Sequence, residues 1–203
     1  MNLFESYQTL IQILEARGYG TSVQNKLAID ASSNALPWIS YPAIDYLEGL
    51  NLSDSTVFEF GSGCSTLYWA KRCRSVVSVE NDQEWYAKIA SVAPANCKML
   101  FRTDLESYLG ALAEQQRTFD IILVDGALNR RRMAEEALKW ISKGGFILLD
   151  NSDCHVNAAQ VLRSADLIQV DFCGFAPAVW HEQTTSLFRF LSRICGCLRA
   201  QNA

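Results

Sequence analysis

The sequence lacks a run of basic residues. Lysine and arginine together number 18, against 22 aspartates and glutamates, so the net charge is −4. A protein that binds mainly nucleic acid usually presents a basic surface that neutralises phosphates. The composition therefore argues against nucleic acid as partner or substrate, and a small-molecule substrate is expected.

Signal-peptide and membrane-span patterns, CxxC pairs and internal repeats are also lacking. The first 17 residues interleave apolar and polar side chains at helical spacing, which predicts an amphipathic helix rather than a signal peptide or membrane span. The seven cysteines are scattered and odd in number, as is typical of reduced thiols in the cytoplasm. Cys195 and Cys197 lie too close together to supply a zinc site alone. The helix could pack on its own domain or on a partner, which leaves a homo-oligomer open.

From Ser55 onward, strand-like and helix-like segments alternate. Short apolar runs such as TVFEF, SVVSVE and FDIILVD are separated by helical patterns of about 10–15 residues, which predicts an α/β fold with a doubly wound, mostly parallel sheet. The last two strands are joined by CGFAPAVWHEQ, which has no helical period, so the final strand is expected to run antiparallel. We expect one domain, with a helical cap over residues 1–54, a Rossmann-like core over 55–191 and a tail over 192–203.

Two local expectations depend on glycine. GYGTSVQN is predicted to break the first helix of the cap, and Pro42 and Gly49 to bound a short helix within it. RRRMAEEALKWISKGG is predicted to be one helix that its glycine pair ends.

The segment VFEFGSGCST, residues 57–66, raises the question of what a glycine loop beside a carboxylate binds. Gly61 and Gly63 follow the first strand, where the chain must turn and a ligand can approach the backbone. The dinucleotide-binding fingerprint would place a third glycine at Thr66, so it is broken here. Glu59 would repel a pyrophosphate and attract a cation. S-adenosylmethionine, which has an ammonium and a sulfonium but no phosphate, suits this loop. An alternative is that Glu59 pairs with a local backbone or arginine group.

Two further acids follow predicted strands. Glu80 ends the second strand about 20 residues beyond the loop, where an acid can accept hydrogen bonds from ribose hydroxyls. Asn81 lies beside it. Asp104 follows the third strand and is a candidate adenine contact, with Leu105 or Phe101 against the ring. Asp104 could equally be the N-cap of the next helix.

Five segments occur in an order and spacing that resemble those of class I S-adenosylmethionine-dependent methyltransferases: EFGSGCST, VVSVEND, RTDLESYL, FDIILVDG and GGFILLDN. The resemblance covers residues 55–191. The resemblance implies a seven-stranded sheet whose last strand is antiparallel. It also implies that the loop lies near the methionine end, Glu80 at the ribose and Asp104 near adenine. The commoner family loop has a third glycine where this chain has Ser65. The expected cofactor-binding residues are Glu59, Gly61, Ser62, Gly63, Ser65, Thr66, Glu80, Asn81, Asp104, Leu105 and Asp125.

Asp125, Asp150 and Asn151 follow the fourth and fifth strands and offer the hard oxygen ligands that Mg²⁺ prefers. Their positions resemble the metal triad of catechol-type O-methyltransferases, which implies a magnesium site that would activate a hydroxyl. The lysine that this family places after its first metal aspartate is absent here. The alternative is that these are solvated strand-end acids, with Asp125 touching only the methionine part of the cofactor.

Asp125 and His155 are the candidate catalytic residues. His155 is a candidate general base, because a neutral imidazole is well matched to physiological pH. His155 could equally be a helix N-terminal residue without a chemical role. The arginines at 130–132 could recognise an anionic group or form a solvated helix face. Trp38, Tyr41 and Trp180 could wall a ligand pocket or pack in the core, and Trp69, Trp85 and Trp140 are expected in the core.

The sequence thus predicts a methyltransferase that transfers a methyl group from S-adenosylmethionine to a small-molecule or sugar-like acceptor, with oxygen favoured by the metal triad. One alternative is an NAD-dependent oxidoreductase, against which Glu59 and Thr66 argue. Another is a methyltransferase-like domain that binds a cofactor or a partner without catalysis.

Overall fold

The computed structural model describes residues 2–190, in which eight helices and seven strands follow one another. The predicted tail over 192–203, with Cys195 and Cys197, lies outside the described residues. The helices are α1 Leu3–Ala16, α2 Tyr19–Asn25, α3 Tyr41–Glu48, α4 Cys64–Arg72, α5 Gln83–Ala90, α6 Leu105–Ala113, α7 Arg130–Trp140 and α8 Val156–Arg163. The strands are β1 Thr56–Phe60, β2 Ser75–Glu80, β3 Cys97–Phe101, β4 Phe119–Val124, β5 Ile141–Leu149, β6 Leu167–Gly174 and β7 Gln183–Phe190.

All seven strands form one sheet in the order β3-β2-β1-β4-β5-β7-β6. The first five strands are parallel, and β7 runs antiparallel to both β5 and β6. The predicted Rossmann-like, doubly wound sheet with an antiparallel last strand is therefore confirmed. Strand order reverses between β1 and β4, and in such sheets ligands bind beyond the carboxyl ends of the strands at that point.

The central strands are buried on both faces of the sheet, and their side chains contribute alternately to two hydrophobic cores. Phe58 and Ile122 belong to the core beneath α6, α7 and α8. Their neighbours Val57 and Ile121 belong to the second core, beneath α3 and α4. Glu59 shares the parity of Val57, so its carboxylate lies on the side of α4.

The N-terminal cap differs in part from its prediction. The predicted break after the first helix is confirmed at Gly18, which has a φ of +79°, but a second helix, α2, that was not predicted follows directly within GYGTSVQN. The predicted helix between Pro42 and Gly49 is confirmed as α3. No residue of α1 is buried, and exposed large apolar side chains stand along it at Leu3, Phe4, Tyr7, Leu10, Ile11 and Ile13.

Two contacts nevertheless hold the ends of α1. Asn2 and Glu5 form a reciprocal capping box at its start. At its C-terminal end, Arg17 pairs with Asp45 of α3 at 2.7 Å. Within residues 2–190, no helix is both long enough and apolar enough to cross a bilayer.

The prediction that α7 runs to the glycine pair is wrong. The helix ends at Trp140, and β5 begins at the next residue with extended backbone. Gly144 has a φ of +91°. A Cβ on Gly145 would lie 2.5 Å from the carbonyl oxygen of Asp120. The two glycines therefore lie in an irregular stretch of β5, where the register with β4 shifts, and they do not end a helix.

Candidate functional site

Glu59 lies under the glycine loop and stabilises it. Its Oε2 atom accepts hydrogen bonds from Thr66 Oγ1 at 2.6 Å and from Ser78 Oγ at 2.7 Å. Thr66 Oγ1 in turn accepts a hydrogen bond from the amide of Gly63. Burial raises the pKa of Glu59 to about 7, although nearby hydroxyl groups oppose the rise. The loop is thus joined through Thr66 to a carboxylate that is only 1% exposed.

Glu80 holds the same loop from the side of β2. Its Oε2 atom accepts from both the amide and the hydroxyl of Ser62, each at 2.9 Å. Its Oε1 atom accepts from the amides of Asn81 and Asp82 at 2.8 and 3.0 Å. The carboxylate therefore fixes the turn after β2 relative to the glycine loop.

Asp104 takes the N-cap position of α6. It accepts hydrogen bonds from the amide of Ser107, at 2.9 Å, and from the Ser107 hydroxyl. These bonds lower the pKa of Asp104. Leu105 packs against the core, and the Phe101 ring lies against Tyr86, with centroids 5.3 Å apart. The predicted adenine contacts of Asp104 and Leu105 stay predictions.

A cavity of about 240 Å³ opens over the glycine loop, and we name it the loop cavity. Trp85 Nε1 donates to the carbonyl oxygen of Ser62 at 2.6 Å, so Trp85 is a wall residue and its expected place in the core is wrong. Trp69 is fully buried, as predicted. The loop cavity is lined by Leu27, Ala28, Trp38, Ser62, Gly63, Cys64, Ser65, Trp85 and Asp125.

Arg130, the first residue of α7, joins the ends of β4 and β5. Its Nη2 atom donates to the backbone and carboxylate oxygens of Asp125, both at 2.9 Å. Its Nη1 atom donates to the carbonyl oxygen of Asp150 and to Asn151 Oδ1, and its Nε atom donates to the carbonyl oxygen of Gly126. A guanidinium has five N–H donors, and all of them are used here.

Asp150 is only 2% exposed. Its Oδ1 atom accepts from Thr185 Oγ1 at 2.6 Å, and Gln183 Nε2 lies 3.3 and 3.4 Å from its two oxygens. Burial and the nearby carboxylate of Asp125 raise the pKa of Asp150. Burial also raises the pKa of Asp125, although the ion pair with Arg130 opposes the rise.

A second cavity of about 250 Å³ lies at the ends of β4 and β5, and we name it the strand-end cavity. Its walls are Trp38, Asp125, Asp150, Asn151 and Gln183. Trp38 and Asp125 also line the loop cavity, so the two cavities share a wall. Two chemically different spaces thus adjoin at the strand-order reversal.

The predicted magnesium triad does not fit this arrangement. Asp125 and Asn151 each direct an oxygen at the guanidinium of Arg130, so a cation already lies where the metal was expected. Across residues 2–190, no group of three histidine, cysteine or acidic side chains is placed to hold a metal ion. We therefore assign no step of the chemistry to magnesium.

Other predicted residues lie apart from the cavities. His155 is the N-cap residue of α8, and burial and Arg130 lower its pKa. Trp180 is 83% exposed, and Tyr41 lines a different groove, beside Arg17. His155, Tyr41 and Trp180 are therefore absent from the walls of both the loop cavity and the strand-end cavity.

Several site residues were not predicted. Leu27 and Ala28 enter the loop cavity from the cap, and Cys64 begins α4. Gln183 begins β7, and its position follows from strand direction, because an antiparallel β7 starts where the parallel β5 ends. That relationship was available from the predicted antiparallel strand and would have pointed to residues near 183.

No protein-family model matches the sequence, and the search of curated proteins found no match. Solved structures are similar in fold. The precorrin-6y C5,15-methyltransferase of Geobacter metallireducens GS-15 is 11% identical, with a TM-score of 0.57 over 80% of this chain and 95% of that chain. The precorrin 8w decarboxylase of Methanobacterium thermoautotrophicum is 14% identical, with a TM-score of 0.55 over 81% and 96%.

The O-methyltransferase TomG from Streptomyces achromogenes, solved with S-adenosylmethionine, is 16% identical, with a TM-score of 0.53 over 67% of this chain and 73% of that chain. At these identities the likeness establishes the fold, because one fold serves many activities. The sequence resemblance to class I methyltransferases is thus confirmed as a shared fold.

Proposed function

We propose that this chain is a methyltransferase that uses S-adenosylmethionine and a small-molecule acceptor. The observation that carries the proposal is the pair of adjoining cavities at the reversal of strand order, with the Asp125 carboxylate bordering both. Methyl transfer needs two ligands held side by side with water excluded between them. Each cavity is smaller than the roughly 300–1,000 Å³ of a typical ligand site, but the pair reaches that range.

The chemistry of the loop cavity suits a cationic ligand. Asp125 supplies a carboxylate, Trp38 and Trp85 supply aromatic rings, and no lysine or arginine is among its lining residues. Bound there, S-adenosylmethionine would supply an activated methyl group on a sulfonium. Asp125, Ser62, Gly63 and Ser65 would hold its methionine end.

Other predicted residues would act around the loop. Glu80 and Asn81 would meet the ribose, and Asp104 with Leu105 would meet adenine. Glu59, Gly61 and Thr66 would act by holding the loop in shape, as their hydrogen bonds and the φ of +101° at Gly61 support.

The same charge pattern disfavours an NAD-dependent oxidoreductase. A pyrophosphate binds where backbone amides or cations meet it, whereas Glu59, Glu80 and Asp125 surround this loop with acids. A non-catalytic binding domain stays an alternative, and a methyl-transfer assay separates it from an enzyme.

The finer expectations have unequal support. The expectation of transfer to oxygen, including a sugar-like hydroxyl, depended on the metal triad. Because Arg130 binds the oxygens of Asp125 and Asn151, that argument for an oxygen acceptor no longer holds. The role of His155 as general base stays a prediction, as do the cytoplasmic location and a homo-oligomer. A substrate other than nucleic acid is supported by the net charge of −4.

Calorimetric titration with S-adenosylhomocysteine tests the proposal. We expect the wild type to bind and Glu80→Ala to lose at least about tenfold in affinity, about 1.4 kcal/mol. Glu84→Ala, an exposed acid of α5, is the matched control and should bind as the wild type does. Absence of binding by the wild type, or binding of NAD(H) in its place, would overturn the proposal.

A further inference from the structure

The strand-end cavity adjoins the proposed cofactor site and has its own chemistry. It shares Trp38 and Asp125 with the loop cavity, and its remaining walls are Asp150, Asn151 and Gln183. In the proposed reaction this is the space from which an acceptor would meet the methyl group. Its charge therefore bears on the acceptor's identity.

The arginines after β4 are not free to bind an anionic acceptor. Arg130 donates all five of its N–H groups to oxygens of the chain. Arg131 pairs with Glu135, and Arg132 pairs with Glu106. An acceptor carboxylate or phosphate in the cavity would thus meet acids and no available guanidinium.

The cavity has more acid than base. Asp125 and Asp150 both border it. Among residues 2–190, Arg130 is the guanidinium that contacts these strand ends, and it reaches the Asp125 carboxylate but only the backbone oxygen of Asp150. Within residues 2–190, the donors to the Asp150 carboxylate are neutral groups, among them the Thr185 hydroxyl and the Gln183 amide, and the Gln183 amide lies 3.4 Å from its Oδ2 atom. Burying a carboxylate that receives no direct hydrogen bond from a cation costs free energy, part of which a positive ligand would recover.

We propose that the acceptor is a small primary amine, bound as its ammonium ion between the carboxylates of Asp125 and Asp150 and against the ring of Trp38. This inference rests on the proposed function and names its substrate class. An ammonium supplies N–H donors to the carboxylates, and an indole face attracts a cation.

The transfer balances without a metal ion. One proton of the bound ammonium passes to the Asp150 carboxylate, which frees the nitrogen lone pair. The nitrogen then forms a bond to the methyl carbon as the carbon–sulfur bond breaks, and that electron pair stays on sulfur. The products are a methylated ammonium ion and the neutral thioether, S-adenosylhomocysteine.

Three probes of one shape test the substrate class: benzylamine, benzyl alcohol and benzoate. Each is titrated into protein saturated with S-adenosylhomocysteine, and its dissociation constant is measured by calorimetry. We expect benzylamine to bind at least about tenfold more tightly than benzyl alcohol, with benzoate weakest, because opposite charges attract strongly at a partly buried site.

Asp150→Asn removes the charge while retaining an oxygen for the Thr185 hydroxyl. It should cut the affinity for benzylamine by at least about tenfold, while benzyl alcohol and S-adenosylhomocysteine bind as before, which also shows that the variant folds. Asp153→Asn, an exposed acid three positions away, is the control and should change none of these affinities.

Equal or tighter binding of the alcohol or benzoate would overturn the amine assignment. So would a preference that survives in Asp150→Asn, or binding of none of the three probes to the loaded protein. Failure of S-adenosylhomocysteine itself to bind is a different result, because it overturns the proposed function.

Discussion

Arg130 Nη2 lies 2.9 Å from Asp125 Oδ1, so the carboxylate that borders both cavities is tied to the first turn of α7. The same guanidinium contacts the backbone of Asp150 and the side chain of Asn151. An arginine therefore fixes the ends of two parallel strands, at the position where the sequence suggested a metal ion.

Arg130→Lys should lower the free energy of unfolding by about 2–4 kcal/mol, because an ammonium cannot replace five directed donors and several buried oxygens would lose their partner. Urea unfolding at neutral pH measures the loss. Arg131→Lys, which alters an exposed pair with Glu135, should stay within about 0.5 kcal/mol of the wild type. Equal losses in the two variants would mean that the contacts of Arg130 contribute little.

Magnesium should not stabilise the protein. Because Arg130 already supplies positive charge to Asp125 and Asn151, a divalent ion would have to displace it. We expect the unfolding midpoint to be the same in about 5 mM Mg²⁺ and in excess chelator, at matched ionic strength. A midpoint that rises with magnesium, but not with the same ionic strength of sodium chloride, would restore the metal site.

Glu59 should make stability depend on pH. Its pKa is raised from 4.5 to about 7 in the folded state, so the folded protein retains a proton that the unfolded chain releases. Stability contributed by this group is therefore complete below about pH 4.5 and is lost as the pH rises to about 7. Glu59→Gln does not titrate and keeps an acceptor for Thr66 and Ser78.

Relative to the wild type, Glu59→Gln should accordingly gain stability between about pH 4.5 and pH 7, by up to about 3 kcal/mol, and the difference should stay constant above. Urea unfolding at a series of pH values measures it, with Glu84→Gln as the exposed control. A difference that does not vary with pH would show that Glu59 titrates normally.

Alanine substitutions at the two loop glycines should affect different properties, stability at Gly61 and ligand affinity at Gly63. Gly61 has a φ of +101°, so Gly61→Ala should cost about 1–3 kcal/mol of stability through backbone strain. Gly63 has extended backbone, and an added Cβ would meet Trp85 at 3.6 Å, an ordinary contact. Gly63→Ala should fold about as stably as the wild type.

The Gly63→Ala methyl would nevertheless enter the loop cavity, so we expect S-adenosylhomocysteine to bind at least about tenfold more weakly. Unfolding and calorimetry on both variants check the pair. Unchanged affinity in Gly63→Ala would place the ligand away from this loop.

The central strands β1, β2 and β4 were predictable because their side chains are buried on both faces of the sheet. SVVSVE was assigned as a strand over the same six residues that form β2, since a short valine-rich segment favours a strand without any tertiary knowledge. The helix end at Trp140 was not predictable in this way. A glycine pair suits both a helix end and an irregular strand, and the neighbouring Asp120 backbone decides between them.

The sequence predicted several of the site residues, but it did not predict the side chains that hydrogen-bond to them. Asp125 and Asp150 were placed at strand ends from the alternation alone. The Ser78 hydroxyl that reaches Glu59 depends on the register of β1 with β2, which pairs these two residues. The contacts of Arg130 depend on where α7 begins relative to two loops, and no local pattern carries that information.

The solvent exposure of α1 has a kinetic consequence. A 14-residue helix that buries no side chain is close to the length at which isolated helices are marginal in water. Its amide hydrogens should therefore exchange by local opening, whereas those of β1 and β4 require the whole sheet to unfold. Since residues 1–37 contain no tryptophan, indole fluorescence should follow unfolding of the rest of the chain, while far-ultraviolet circular dichroism should also register the earlier melting of this helix.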